Sequence, residues 1–371
     1  MKKLIAVIIT GILLASMLIG CGSVNKSEAD NANENRVEVN DTPTEAVNEP
    51  DTAVTETKEE TEKTLSDDDK KLAEASKEAY EKFLADSELL YFDNIYVLPD
   101  YSDEGMGKGI FYASEGLNLS KFRDEYSAGI VDEWSEEPYD VKDTLYSYID
   151  CGDDGIPELA LMFTGGMLYG SEYTDQFIIK LIDGKLQLCY SQNAGYRSYC
   201  GMNKYGYTWY GGSNSALSHG CEYSVVDASG ELHYVYYVEQ TYSMSGVYSA
   251  NEDYDKYMEA VDMGAEDDVE VDTYELLDRD EDYYKGDYDY AERQQKYLYT
   301  FYKVDENGNE INDPSIYDKD SPYMKLWESK NLPFYTKEEI NEHLWERKAS
   351  FGVTDKIENG EEIDDWTSIT K

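Results

Sequence analysis

The chain has 371 residues and carries 79 Asp and Glu against 32 Lys and Arg, a formal net charge of −47 at pH 7. That balance excludes polyanionic partners: nucleic acid is held by Lys and Arg that neutralise phosphates, and anionic lipid headgroups attract basic segments. Tyrosine dominates the aromatics, 36 against 9 Phe, and supplies rings that pack in half-buried sheets or stack on a sugar while each hydroxyl still needs a partner.

The first element is an export signal. Lys2 and Lys3 precede an apolar run from Leu4 to Ile19, broken only by Thr10, Gly11 and Ser16, the layout of a cleaved secretory leader. A spanning helix needs about 20 apolar residues, and this run is shorter. Leu18-Ile19-Gly20-Cys21 resembles the lipobox of bacterial lipoproteins. The resemblance implies acylation of the Cys21 thiol, cleavage before it, and a diacylglycerol anchor on the extracytoplasmic face of the cell membrane. One acyl chain binds a membrane only marginally, whereas two hold it.

Residues 21–66 then form a lipid-anchored tether. From residue 22 to 66 there is no aromatic residue, and twelve acids stand against Lys26, Arg36, Lys58 and Lys63. Such a composition cannot offset the entropy of ordering, and its like charges extend it. Forty-five residues at about 3.3 Å each reach roughly 150 Å. Residues 67–371 remain for one β-rich extracytoplasmic domain, with a subdivision near 241–296.

Ser66 before Asp67, Asp68 and Asp69 predicts a helix to about Ala85, with carboxylates where the helix dipole favours them. Its inward face reads Leu72, Ala75, Ala79, Tyr80 and Phe83. From Leu145 the pattern changes to strands. Phe177 to Ile182 and Lys185 to Tyr190 flank Asp183-Gly184, a two-residue type I′ hairpin signal. Tyr223 to Ala228 and Glu231 to Glu239 repeat the design around Ser229-Gly230, and Tyr297 to Glu306 precedes Asn307-Gly308. Between Tyr242 and Tyr290 the strands fade into an acidic, Tyr-rich stretch of short helices. Thr336 with Glu339 makes a capping box for a helix from Lys337 to Ala349 that turns Ile340, Leu344 and Trp345 inward. The fold class is therefore α+β, a β-rich antiparallel meander with an N-terminal and a C-terminal helix.

One constellation carries specific chemistry: Asp150-Cys151-Gly152-Asp153-Asp154-Gly155-Ile156-Pro157-Glu158, between two apolar runs. Calcium loops place carboxylates at positions 1, 3 and 5, a Gly at 6, a carbonyl at 7 and often a ligand at 9. Asp150, Asp154, Gly155, Ile156 and Glu158 fall at 1, 5, 6, 7 and 9. Gly152 at 3 and Leu161 at 12 exclude an EF-hand, while Asp153 offers a further oxygen to a weaker calcium site. The alternative is an acidic turn joining two buried strands. Tyr148-Ile149-Asp150 through Gly155-Ile156-Pro157-Glu158-Leu159 looks like the Asp-x-Asp-Gly-Asp-Gly-x-Pro-Glu-Leu loop of a family of Gram-positive surface lipoproteins. That resemblance implies a surface location but no activity, and Gly152 replaces the family's middle acid.

Cys151, Cys189, Cys200 and Cys221 are an even set outside the cytoplasm, which permits two disulfides in any of three connectivities or four buried thiols. Cys151 with Cys189 and Cys200 with Cys221 are the nearest pairs in chain order. His219, His233 and His343 stand apart, and no His-x-x-x-His or Cys-x-x-Cys pair supports zinc. Ser213, Ser215 and Ser218 lie outside any Gly-x-Ser-x-Gly elbow. The residues thus point to a membrane-anchored binding or surface-interaction module, with calcium as small partner and an extracellular carbohydrate or protein as ligand. The alternative is an exported hydrolase of wall or environmental polysaccharide, which needs two carboxylates flanking a cleft.

Overall fold

A computed structural model describes residues 65–94, 115–129, 139–168, 171–242, 258, 261–264, 268–276 and 294–369. The leader, Cys21, the tether to residue 64 and most of 241–296 lie outside the described residues. Thr61–Lys371 form one unit.

Helix α1 (Asp67–Leu84) begins as its sequence demands: Ser66 Oγ accepts the Asp69 amide at 3.2 Å and Asp69 returns the bond to the Ser66 amide. Its buried line is Ser76, Tyr80 and Phe83, whereas Leu72 is 41% exposed and Ala75 is also outside. Only the C-terminal half docks, so the inward face starts a turn later than apolarity suggested. The chain continues through β1 (Leu90–Tyr91), α2 (Leu119–Gly129), β2 (Asp143–Ile149), β3 (Glu158–Leu168), β4 (Ser171–Ile182) and β5 (Lys185–Gly195). These strands make a sheet of order β1-β5-β4-β3-β2-β13, the last being Thr367–Ser368 at the C-terminus. β2 to β5 form an antiparallel meander, and β1 joins β5 in parallel. Asp183 and Gly184 both take positive φ, 50° and 77°, the requirement of the type I′ turn.

Helices α1 and α2 cover one face of this sheet with Tyr80, Phe83, Phe122 and Tyr126, over Leu159, Leu161, Phe163 and Phe177. Within that core Asp175 is fully buried. It accepts the hydroxyls of Tyr126 at 2.6 Å and Tyr139 at 2.5 Å, and an amide proton of Asn193. Burial raises the carboxyl's pKa, against the pull of these three donors. Asp175→Ala would leave two buried hydroxyls without their acceptor. The expected loss is about 2–3 kcal/mol, read as a lower urea midpoint at unchanged slope.

The second sheet is a sequential meander of β6 (Ser198–Met202), β7 (Tyr207–Ser213), β8 (Ser218–Val226), β9 (Leu232–Thr241), β10 (Val269–Glu275), β11 (Leu298–Val304) and β12 (Glu310–Ile311). β10 lies where strands were expected to fade. Its Val269 and Val271 alternate with Glu270 and Asp272, and the acids face partners on β9 and β11 instead of water. The Ser229-Gly230 turn also differs from expectation. Asp227 pairs with Glu231, Gly230 alone takes positive φ at 89°, and its amide bonds Asp227 O at 2.9 Å. It is a three-residue loop closed by a glycine bulge. The Asp305–Asn309 turn repeats it, and in both the Asp side chain accepts the amides two and four residues on.

A 3₁₀ turn at Pro314–Tyr317 leads to α3 (Pro322–Lys330), which seats Trp327 on Val269, Val271, Tyr299 and Phe301. Helix α4 (Lys337–Ser350) keeps the Thr336–Glu339 capping box and lays Ile340 and Leu344 on Leu298. Trp345, expected inside, is 68% exposed, because it sits about 100° round the helix from Leu344. Arg347 takes the useful place instead. It donates to Tyr234 O at 2.9 Å and Val235 O at 3.1 Å, where a β-bulge disturbs the β8–β9 ladder. A short α5 (Asp355–Glu358) closes that end.

Many rings lie over glycine. A Cβ placed on Gly166 would strike the Tyr139 ring, one on Gly195 the Tyr173 ring, and one on Gly360 the Tyr205 ring; the same holds for Gly201 and Trp209, Gly211 and Tyr199, and Gly220 and Tyr237. Aromatic cover of a neighbouring glycine restores the contacts that a missing side chain forfeits. Tyrosine is abundant here in part because it paves these sheets.

Candidate functional site at the sheet junction

The acidic loop between β2 and β3 is the place where the two sheets meet. The Asp150 amide donates to Lys204 O at 2.8 Å and the Gly152 amide to Tyr205 O at 3.1 Å, both on the β6–β7 turn. On its other side Gly152 meets the β8–β9 turn. A Cβ there would fall 2.7 Å from the Ala228 nitrogen, at a φ of +75°. Gly152 thus stands where a calcium loop places an acid because the second sheet leaves no room for a side chain.

Each predicted carboxylate ligand has another partner. Asp150 accepts the Gly155 amide at 2.9 Å, Asp154 accepts the Ile156 amide at 2.7 Å, and Asp153 pairs with Lys356 at 2.9 Å. Burial raises the Asp150 carboxyl. Glu158 is fully buried, accepts the Cys151 amide at 2.6 Å and pairs with Lys180. Burial pushes its carboxyl up to about 7, although Lys180 pulls the other way. The calcium set of Asp150, Asp153, Asp154, Ile156 and Glu158 therefore follows the loop's spacing without converging its carboxylates: among the described residues, the three-membered ligand group within 4.8 Å is Asp227, Glu231 and His233 instead.

That group was missed because Asp227 and His233 are brought together only by the bulged β8–β9 turn. Asp227 is already engaged. One oxygen accepts Ser229 and Glu231 amides and the Ser229 hydroxyl; the other meets His233 Nε2 at 2.8 Å. Against partial burial, these bonds hold Asp227 below the usual carboxylate range. His233 also stacks on Phe351 at 4.7 Å. The geometry is that of a fastened turn.

The four described cysteines, Cys151, Cys189, Cys200 and Cys221, are free thiols, the second of the two alternatives that their even count leaves open. Cys151 and Cys189 belong to the apolar cluster between the sheets, with Ala160, Ile178, Met202 and Val226. Cys200 pairs with Tyr210 in register, while Cys221 pairs with Gly211 one residue along. Successive strand residues face opposite sides, so Cys200 and Cys221 point away from each other across the sheet. Burial raises Cys151 far above the thiol range, and Cys189 and Cys200 to about 12. Such thiols are poor nucleophiles. The serines serve their loop: Ser213 donates to Ser215 O at 2.7 Å, and Ser215 and Ser218 share a hydrogen bond.

A second acidic pair lies on β10. Tyr302 Oη is 3.1 Å from Glu270 and 3.3 Å from Asp272, and Gln240 Nε2 donates to both Glu270 and that hydroxyl. Lys337 covers the Tyr302 ring at 3.9 Å and pairs with Glu310. Burial raises Asp272 to about 6. Periodic acids at 270 and 272 were the available signal, hidden by the acidity of the flanking stretch.

Comparison with protein-family models, curated proteins and solved structures returns no match. Among the described residues, no helix is long and apolar enough to cross a membrane.

Proposed function

We propose that the chain is a lipid-anchored extracytoplasmic binding module, held to the membrane through Cys21 and working through a surface. The observation that carries this reading is the employment of the chemistry-bearing side chains. The acidic loop and the two inner thiols are engaged in joining one sheet to the other, and the Asp227 group fastens its own turn. The Glu270–Asp272 pair converges on a single tyrosine hydroxyl beneath Lys337. Exposed on the second sheet are Tyr199, Leu232 and Ile311, with Tyr196 in the turn before it. Leu18-Ile19-Gly20-Cys21 supports the anchor, and two acyl chains on Cys21 would give it the hold that one lacks.

Mass spectrometry of the Cys21–Lys26 tryptic peptide, from membranes of a Gram-positive host, is expected to show a diacylglyceryl thioether. Cys21→Ser should shift the protein from the membrane fraction to the soluble one. An unmodified thiol on membrane-recovered material would overturn the anchor.

A further inference from the structure

We propose that the cavity at the β2 edge of the first sheet is a binding site for a small carboxylic acid with a short apolar chain. It measures about 320 Å³ and lies between the end of α1, the start of α2, the start of β2 and the C-terminal strand β13. Pockets that hold small molecules begin near 300 Å³, so this one suits a small ligand. Its walls are tied together. Asp86, just past α1, accepts the Ser120 amide and hydroxyl of α2, each at 2.8 Å. Asp143 accepts the Thr144 amide and, across to β13, the Ser368 hydroxyl, each at 2.8 Å. The two acids of the lining therefore fasten helix to helix and strand to strand. Leu119 belongs to the helix-covered core, and Leu84 and Ile369 pack against it, which gives the cavity an apolar floor.

Three polar groups of the lining have no such task. Thr144 lies opposite Phe163 in register, and residues directly opposite on paired strands share a face, so its side chain turns toward the helix layer that covers Phe163. Thr144 is only 6% exposed and lines the cavity, and among the described residues its hydroxyl has no hydrogen-bond partner. A buried hydroxyl left unbonded is costly, and a ligand oxygen removes that cost. Lys142 also lines the cavity, and its ammonium has no carboxylate partner among the described residues, in a chain with 79 acids. The lysine stem runs along the backbone of Gly165, where an added Cβ would fall 2.7 Å from the Lys142 Cβ. A stem held in this way has less freedom to lose on binding. Arg123 pairs with Asp124, its exposed neighbour in the chain, at 3.3 Å, a contact of little strength.

The ligand class follows from these groups. Two cations and a hydroxyl donor beside an apolar floor match an oxygen anion on a short hydrocarbon, and a carboxylate takes charge-assisted bonds from both lysine and arginine. A bare amine would meet two acids that are already engaged. The net charge of −47 repels multiply charged anions such as phosphate esters. A single carboxylate meets that field with one charge, and physiological salt screens it beyond about 8 Å. Amino acids and simple carboxylic acids share this chemistry, and the experiment below separates them. The site gives the anchored binding module a small-molecule ligand, so its assignment rests on that reading.

The test is isothermal titration calorimetry of the full acylated chain in non-ionic detergent, with isovalerate, leucine and leucinamide as probes. Isovalerate, leucine or both should bind one to one, and leucinamide, which lacks the carboxylate, should not. Binding of leucine alone assigns an amino acid; binding of isovalerate assigns a simple acid. Lys142→Met and Arg123→Gln should each weaken affinity about tenfold or more, the effect of one lost charge-assisted bond, while Lys142→Arg should retain most of it. Thr144→Val keeps the shape of the side chain and should weaken affinity about fivefold. Melting curves show that the variants are folded, and the exposed Lys142 provides the one least disturbing to the core. No binding of either carboxylate, equal binding of leucinamide, or unchanged affinity in folded Lys142→Met and Arg123→Gln proteins would overturn the site. Acylated Cys21 with no binding would overturn the site and leave the anchor standing. Binding with an unmodified Cys21 would do the reverse.

Discussion

Glu158→Ala is expected to destabilise the domain by about 3–5 kcal/mol, because it leaves Lys180 as an uncompensated buried charge. The carboxyl is inaccessible, bonded to the Cys151 amide and paired with a lysine whose own side chain is nearly buried. Equilibrium urea unfolding at pH 7 measures the loss. The double variant Glu158→Gln, Lys180→Met should recover most of it, since apolar or neutral replacement of a buried pair is often close to neutral. The pH dependence has a definite sign. Burial raises Glu158 from 4.5 to about 7, so the folded chain keeps a proton that the unfolded chain releases. This carboxyl's contribution is complete below about pH 4.5 and is lost as the pH rises through about 7. A Glu158→Gln protein should lack that slope; an unchanged pH profile in the variant would sink the assignment.

Phe177→Ala should cost about 3–5 kcal/mol, the range for removing a large buried ring. Phe177 has no exposure and meets Phe122 at 5.1 Å, Phe163 at 5.0 Å and Tyr126 at 5.3 Å. Three of these rings approach edge to face, so the space vacated is bounded by side chains that cannot all move in together. Phe177→Leu keeps most of the volume and should cost less than half as much. Thermal and urea melts of both variants check the ranking, and a Phe177→Ala protein within about 1 kcal/mol of wild type would contradict this packing.

Much of the architecture was legible because local rules and final structure agree. Ser66 and Thr336 cap the helices they were expected to cap, and period-two apolarity with glycine turns marked the meander. The misses have one physical origin. Apolar type does not say which way a side chain points: Leu72 and Trp345 are outside, while Arg347 reaches the β-bulge. The acidic loop was visible by its spacing, yet its use was not, since its partners Ala228, Tyr205 and Lys356 are distant in sequence. The division into two sheets was likewise unreadable, because the residues that join them, Ile178 and Cys189 with Met202 and Val226, meet only once both sheets have formed. The pairing of ring and glycine emerges only from register, which decides that Tyr199 lies beside Gly211 and not elsewhere.

The laying of rings upon glycines also constrains how this protein can change by descent. A glycine that gains a methyl group ejects its ring, and a ring that shrinks uncovers backbone. Either change is harmful by itself, yet the two together can be tolerated. Inheritance should therefore treat Gly201 and Trp209, or Gly166 and Tyr139, as indivisible couples that persist or vanish jointly.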